Sequence, residues 1–256
     1  MPVQTLFGVA LGLFLVMTPA SLVGAEPTNA RLATFRSDDQ SYFALSLRPE
    51  IVADPTQRND VAILLDTSAS QTGKYRLEQL TALNSLLAEL GAGDRVQLWA
   101  VDMKAISMSA GFVSARSAEM ETALTMLNRR TPLGATDLDA GIRLAAASLS
   151  ANGNAKSIIY VGDAMSRANL FTEATLRNLI TDMRNQHVSV SSYVLGQATN
   201  PQLMAALANH TGGMVQVDGP EAEAATASGR VLAARNIPCD TRVGAGAGLL
   251  PCCLAV

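Results

Sequence analysis

Five oxygen-bearing side chains in three short loops are the chemistry this chain offers. They are Asp66, Ser68 and Ser70 in Asp66-Thr67-Ser68-Ala69-Ser70, Thr136 in Gly134-Ala135-Thr136-Asp137, and Asp163 in Val161-Gly162-Asp163. Carboxylate and hydroxyl oxygens are hard ligands that suit Mg²⁺ or Mn²⁺ and serve zinc or copper poorly. An isolated Asp-x-Ser-x-Ser also has a plainer meaning, because Asp and Ser side chains cap the orphan amides of helix starts. The joint pattern of three loops in order is the more specific signal.

These loops need a scaffold that brings residues nearly a hundred positions apart to one rim. Apolar runs of strand length occur at Val61 to Leu65, Val96 to Val101, Ser157 to Val161 and Val188 to Leu195. Such near-continuous runs mark strands of a parallel sheet buried on both faces. Ile106 to Val113 reads as a weaker edge strand and Met214 to Val217 as the last strand. Between them, Leu80, Leu83, Leu87 and Leu90 share one helical face, Met120, Leu124 and Leu127 a second, and Ile142, Ala145 and Leu149 a third. Thr172 is placed to cap a fourth helix, Asn200-Pro201 to open a fifth that closes before Gly212, and Pro220 to begin a sixth. The alternation predicts an α/β fold: a doubly wound, mostly parallel sheet with one antiparallel edge strand and helices on both faces. In such sheets ligands bind at the carboxyl ends of strands, where the three loops lie.

The stretch from Asp60 to Val217 resembles the von Willebrand factor type A family, a Rossmann-like fold with a metal-ion-dependent adhesion site. The likeness rests on Asp66-x-Ser68-x-Ser70, Thr136 and Asp163, and extends to Asn209-His210-Thr211-Gly212-Gly213 before the last strand. It implies that Ser68, Ser70 and Thr136 supply hydroxyl oxygens to Mg²⁺ or Mn²⁺, with Asp66 and Asp163 at or just behind the ion. It further implies a protein partner that presents a carboxylate to the metal, and binding without turnover. Two departures concern loop shape: Asp163 is followed by Ala164 where glycine is common, and Gln71-Thr72-Gly73 follows the serines where a longer apolar residue is usual. Asp66 is expected at a solvent-facing strand tip, so that Asp66→Ala leaves the fold intact and relieves repulsion from Asp163 in the metal-free protein.

Two other readings compete. Asp66, Thr136, Lys156 and Gly162-Asp163 mimic the order of a haloacid-dehalogenase-like phosphatase, with Asp66 as nucleophile. That chemistry wants an acid two residues after the nucleophile, where Ser68 stands and cannot protonate a leaving group. The other reading keeps the fold without the metal, as a structural segment of a larger envelope or surface protein. Serine hydrolysis has no Gly-x-Ser-x-Gly elbow to use, and the only histidines are His187 and His210.

Composition bounds the remainder. With 48% hydrophobic and 16% charged residues, the 256-residue chain has the make-up of a globular protein, and a net charge of -3 without basic stripes argues against nucleic acid. Residues 1–25 carry no charge, and their apolar run from Leu6 to Met17 is followed by Val23-Gly24-Ala25. This reads as a signal peptide cleaved after Ala25, hence a periplasmic, cell-surface or secreted protein without a further span; the lack of an amino-terminal Lys or Arg leaves an uncleaved anchor as the alternative. Residues 26–59 form an extension that is polar and turn-rich up to position 40 and carries a short strand from Ser41 to Arg48. The main domain is expected over 60–235, and 236–256 is an irregular tail holding Cys239, Cys252 and Cys253.

Overall fold

A computed structural model describes residues 30–37, 40–47, 58–149, 154–220 and 223–234, in two compact units divided between Val52 and Ala53. The segment read as a signal peptide, the cysteines and residues 236–256 lie outside the described residues. The first unit holds β1 (Ala30–Ser37) and β2 (Gln40–Leu47), an antiparallel pair with Phe35 opposite Tyr42. The second strand agrees with the alternation expected there, whereas β1 falls in a stretch read as turn-rich. Its Leu32-Ala33-Thr34-Phe35 core is flanked by Arg31 and Arg36, and only pairing with β2 makes it a strand.

The second unit is a seven-stranded sheet with helices on both sides. In chain order it runs β3 (Asn59–Asp66), α1 (Lys74–Glu89), β4 (Arg95–Val101), β5 (Ala105–Ser107), β6 (Val113–Ser114), α2 (Ala118–Arg129) and α3 (Leu138–Ser148). It continues with β7 (Ala155–Gly162), α4 (Glu173–Asn185), β8 (Val188–Val194), α5 (Pro201–Thr211), β9 (Val215–Val217) and α6 (Ala224–Ala234). The spatial order is β5-β4-β3-β7-β8-β9, with β3, β4, β7, β8 and β9 parallel. The chain leaves β3 for β4 on one side and later returns to β7 on the other. That reversal opens a crevice at the carboxyl ends of β3 and β7.

Period-two burial splits the core in two. Val61, Ile63 and Leu65 face α1, α2 and α6, packing on Leu83, Leu86, Met120, Leu127 and Leu232. Ala62 and Leu64 face α3, α4 and α5, packing on Leu138, Ile142, Leu179, Met204 and Leu207. Thr172 and Asn200 cap α4 and α5 through their side chains, and Gly212 ends α5 in the left-handed region at φ 79.

The edge strand expected over Ile106 to Val113 is broken. Pieces β5 and β6 pair antiparallel with opposite ends of β4. Between them side chains take over the ladder: Ser109 Oγ accepts from Leu98 N at 3.3 Å and donates to Gly111 O at 2.9 Å, while Ser107 Oγ donates to Ser109 O at 2.6 Å. Serine hydroxyls that satisfy nearby backbone compete with regular strand pairing.

Helix α6 lies so close on α1 that a Cβ at Gly229 would stand 2.4 Å from Ala82 O and 2.9 Å from Ser85 Cβ. Glycine inside a helix ordinarily costs about 1 kcal/mol against alanine. Here overpacking against backbone, typically about 1–3 kcal/mol, opposes that gain. Gly229→Ala is therefore expected to lower the denaturant midpoint without changing the slope of the transition. A raised midpoint would show that the two helices are not in backbone contact.

Candidate metal centre

All three loops converge at the carboxyl edge beside the crevice. Asp66 ends β3, Thr136 stands just before α3, whose N-cap is Asp137, and Asp163 follows β7 directly. Ser70 Oγ donates to Asp163 Oδ2 at 2.5 Å, and the Ser68 and Ser70 hydroxyls are 2.9 Å apart. Thr136 Oγ1 lies 3.1 and 2.9 Å from the two carboxylate oxygens of Asp66. The backbone binds the loops together: Leu133 N donates to Thr67 O at 2.9 Å, Ala69 N to Gly134 O at 3.0 Å and Ala168 N to Thr136 O at 3.1 Å.

Asp66 is not at a solvent-facing tip. It has no exposed surface, and Thr136, Asp163 and Ser68 are almost as enclosed, while Ser70 is exposed. A buried carboxylate needs hydrogen-bond donors, and Asp66 has three. Besides Thr136, Ser68 N donates to Oδ1 at 2.8 Å and Tyr160 Oη to Oδ2 at 2.7 Å. Asp66→Ala would strand the Tyr160 hydroxyl and open a hole, so the expectation of a harmless deletion is corrected. The like-charge part of that expectation persists, because Asp163 raises the Asp66 pKa.

Tyr160 is the member that sequence reasoning missed. It pairs with Leu64 across β7 and β3, so its ring shares a face with Asp66 one step further along. Nothing in the pattern of an apolar strand marks it, since only the register reveals the diagonal. Gly162 is a second: a Cβ there would meet Asp66 Cβ and Tyr160 Oη, both at 2.4 Å. Gln79 is a third, donating to Asp66 O at 3.1 Å and Gln71 Oε1 at 2.9 Å from within α1. Ala164, where glycine is common in this pattern, holds φ 60, a conformation that glycine adopts freely and alanine does not.

Proton positions decide what the cluster can bind. Ser70 has one hydroxyl hydrogen, which goes to Asp163, and the Ser68 hydroxyl bonds within the cluster, with Ser70 and Asp66 as its partners. Thr136 and Tyr160 give theirs to Asp66. Every hydroxyl hydrogen is thus committed, and the cluster turns lone pairs toward any ligand. Among the described residues no group of three or more His, Cys, Asp or Glu is placed to hold a metal. An ion at this edge would depend on hydroxyl oxygens as well as the two carboxylates, and hard donors of this kind fit Mg²⁺ or Mn²⁺.

Burial above all, with the Asp163 charge adding to it, lifts the Asp66 pKa from 3.8 to about 6, against the lowering hydrogen bonds from Tyr160 and Ser68. Burial and the charges of Asp66 and Asp163 likewise push the Tyr160 hydroxyl well above its ordinary value.

A protein-family model described as von Willebrand factor type A domain matches residues 59–217. No curated protein sequence matches the chain. Among solved structures, a von Willebrand factor type A protein from Catenulispora acidiphila superposes with TM-score 0.62 at 16% identity, covering 83% of this chain and 47% of that one. BatB from Bacteroides thetaiotaomicron gives 0.54 at 18% identity over 69% of this chain and 98% of its own. The pilus adhesin SpaC from Lactobacillus rhamnosus GG, in its open conformation, gives 0.57 at 14% identity over 82% and 34%. The chain thus spans about half of the first of these proteins and nearly all of the second. At such identities the likeness is one of fold.

A raised carboxylate pKa has a definite sign: the folded state keeps this proton up to a higher pH than the unfolded chain does. Its stabilising effect is complete below the unfolded value and is lost as pH rises toward about 6. In chelator, the unfolding free energy is expected to lose about 3 kcal/mol from this group between roughly pH 4 and 7. Asp66→Asn should lack that part of the slope. Parallel pH profiles for the two proteins would show that another group carries the proton.

Proposed function

On the premise that the chain belongs to the von Willebrand factor type A family, whose model its residues 59–217 match, we propose that it is a metal-dependent protein-binding module and not an enzyme. Ser68, Ser70 and Thr136 offer hydroxyl oxygens, and Asp66 and Asp163 carboxylates, to one Mg²⁺ or Mn²⁺. The bound ion supplies an electrophilic position for a carboxylate of the partner. The observation that carries this reading is the commitment of every hydroxyl hydrogen to another oxygen of the cluster. A site so arranged attracts a cation and offers an anion nothing until the cation is in place.

The protein's own groups do the positioning. Tyr160 and the Ser68 amide fix the Asp66 carboxylate, and the Met165 amide holds Asp163 Oδ1 at 2.9 Å. Ser70, exposed while its neighbours are enclosed, marks the side from which ion and partner enter. The phosphatase alternative is disfavoured by Ser68, which stands two residues after Asp66 where that chemistry needs an acid to protonate the leaving group. Export rests on the charge-free amino-terminal segment, and a surface setting suits a module of this kind; among the described residues no helix is long and apolar enough to cross a membrane.

Thermal melting in Mg²⁺ and in chelator tests the reading. A ligand at a hundred times its dissociation constant stabilises the folded state by about 2.7 kcal/mol. Wild type should gain on that scale, and Ser70→Ala, which removes an exposed hydroxyl from the cluster, should lose most of the gain. Equal gains would place the ion elsewhere, and no gain in wild type would return the chain to a purely structural role.

A further inference from the structure

Beneath the metal loops lie two glutamines for which an apolar core has no need. Gln79, in the second turn of α1, and Gln71, directly after Ser70, have no exposed surface. Gln71 falls in the stretch after the serines where a longer apolar residue is usual. Glutamine is seldom fully buried, and a polar side chain that is buried calls for an explanation.

One amide group gathers three segments of the rim. Gln79 Nε2 donates to Gln71 Oε1 at 2.9 Å, to Asp66 O at 3.1 Å and to Val161 O at 3.3 Å. An amide nitrogen carries two hydrogens, so these are divided among three acceptors. Asp66 ends β3 and bears one carboxylate of the cluster, and Val161 lies in β7 two residues before Asp163, which bears the other. Gln71 extends the chain of bonds. Its Nε2 reaches Leu195 O, just past β8, at 3.4 Å, and its backbone N–H donates to Ser68 O at 3.0 Å. Residue 196 is squeezed between this clasp and the second carboxylate: a Cβ on Gly196 would stand 2.9 Å from Asp163 Cβ and 3.5 Å from Gln71 Nε2.

The arrangement does little for stability. Gln79 Oε1 is buried and has no partner among the described residues. An acceptor left that way cancels much of what the nitrogen's bonds contribute. Methionine, of similar length and adaptable shape, would fill the same space without stranding an oxygen. Residues that break the rules of a core without a gain in stability gather where function needs them, and groups just behind a metal's ligands orient those ligands.

We propose that Gln79 and Gln71 are positioning residues for the metal cluster: through one amide they hold the end of β3, the end of β7 and the serine loop at the spacing a divalent cation needs. This rests on the metal-dependent reading above and deepens it. Both act on the backbone and through it on the oxygens offered to the ion, so loss of the clasp weakens ion binding and leaves the fold in place.

The test uses the full chain and Mn²⁺ alone as the probe. Dissociation constants, read from the electron paramagnetic resonance of the free ion, are compared for wild type, Gln79→Met, Gln71→Met and Ser70→Ala, beside melting temperatures in chelator. Gln79→Met should melt close to wild type and bind Mn²⁺ roughly ten- to a hundredfold more weakly. Gln71→Met, which frees the serine loop alone, should shift less in the same direction, and it carries the test by the same criteria should Gln79→Met not fold. A dissociation constant unchanged in both glutamine variants, or one that moves only together with a lowered melting temperature, would overturn the positioning role. The metal reading then stands if Ser70→Ala still binds weakly. If wild type itself binds no ion, both fall together.

Discussion

A carboxylate enclosed at the end of the central strand is the constraint on which this structure turns. Asp66 has no exposed surface, yet two further oxygens of its own kind stand nearby on Asp163. Such a group persists only if donors surround it, and the fold supplies them from three sources: the Ser68 amide, the Thr136 hydroxyl and the Tyr160 hydroxyl. Each donor dictates local structure. The amide requires the chain to turn directly after β3, the Thr136 hydroxyl requires the loop before α3 to reach the end of that strand, and Tyr160 requires its strand to lie beside β3 in one register.

Crowding follows from the same arrangement. With the Tyr160 ring laid across the strand end, residue 162 has no room for a side chain, and Gly162 is fitted where a Cβ would overlap two neighbours. Asp163 then swings toward the serines, and the next residue is forced to positive φ, which Ala164 adopts against its preference. Backbone strain of this kind survives where the surroundings over-determine a conformation, and it gathers at sites of function. The unfavourable electrostatics have the same meaning: a metal-free cluster with two close carboxylates stores repulsion that a bound cation would relieve.

Rigidity elsewhere makes the rim dependable. The two faces of the sheet are covered by separate apolar clusters, so β3 is clamped from both sides and its end cannot drift. Backbone hydrogen bonds then lace the 67–70 loop to the 131–136 loop, leaving little freedom in either. Ser70, Met103 and Leu133 reach outward from this laced frame and are exposed. A surface composed this way is pre-organised, which limits the entropy lost on binding.

Much of this was legible in residue order. Continuous apolar runs announced the buried parallel strands because a strand covered on both faces needs no polar alternation, and Thr172, Asn200-Pro201 and Gly212 announced helix ends through their capping chemistry. Asp66, Ser68, Ser70 and Asp163 were legible as oxygen-bearing types just after strands or at their ends, and Thr136 as one just before a helix. Local pattern could not supply what depends on register and approach. Tyr160 looked like one more apolar strand residue until β7 was set beside β3, and Gly162 like a turn glycine until Asp66 lay against it. Burial misled in the same way: Asp66 ends a strand, which suggests exposure, yet it has no exposed surface, with Ser68, Thr136 and Tyr160 against its carboxylate. The broken edge over Ile106 to Val113 turned on serine hydroxyls competing for backbone partners, and β1 on a neighbour across a hairpin. Residue type and period determine which elements form. Distances between elements far apart in the chain decide which side chains meet, and those distances exist only once the sheet is assembled.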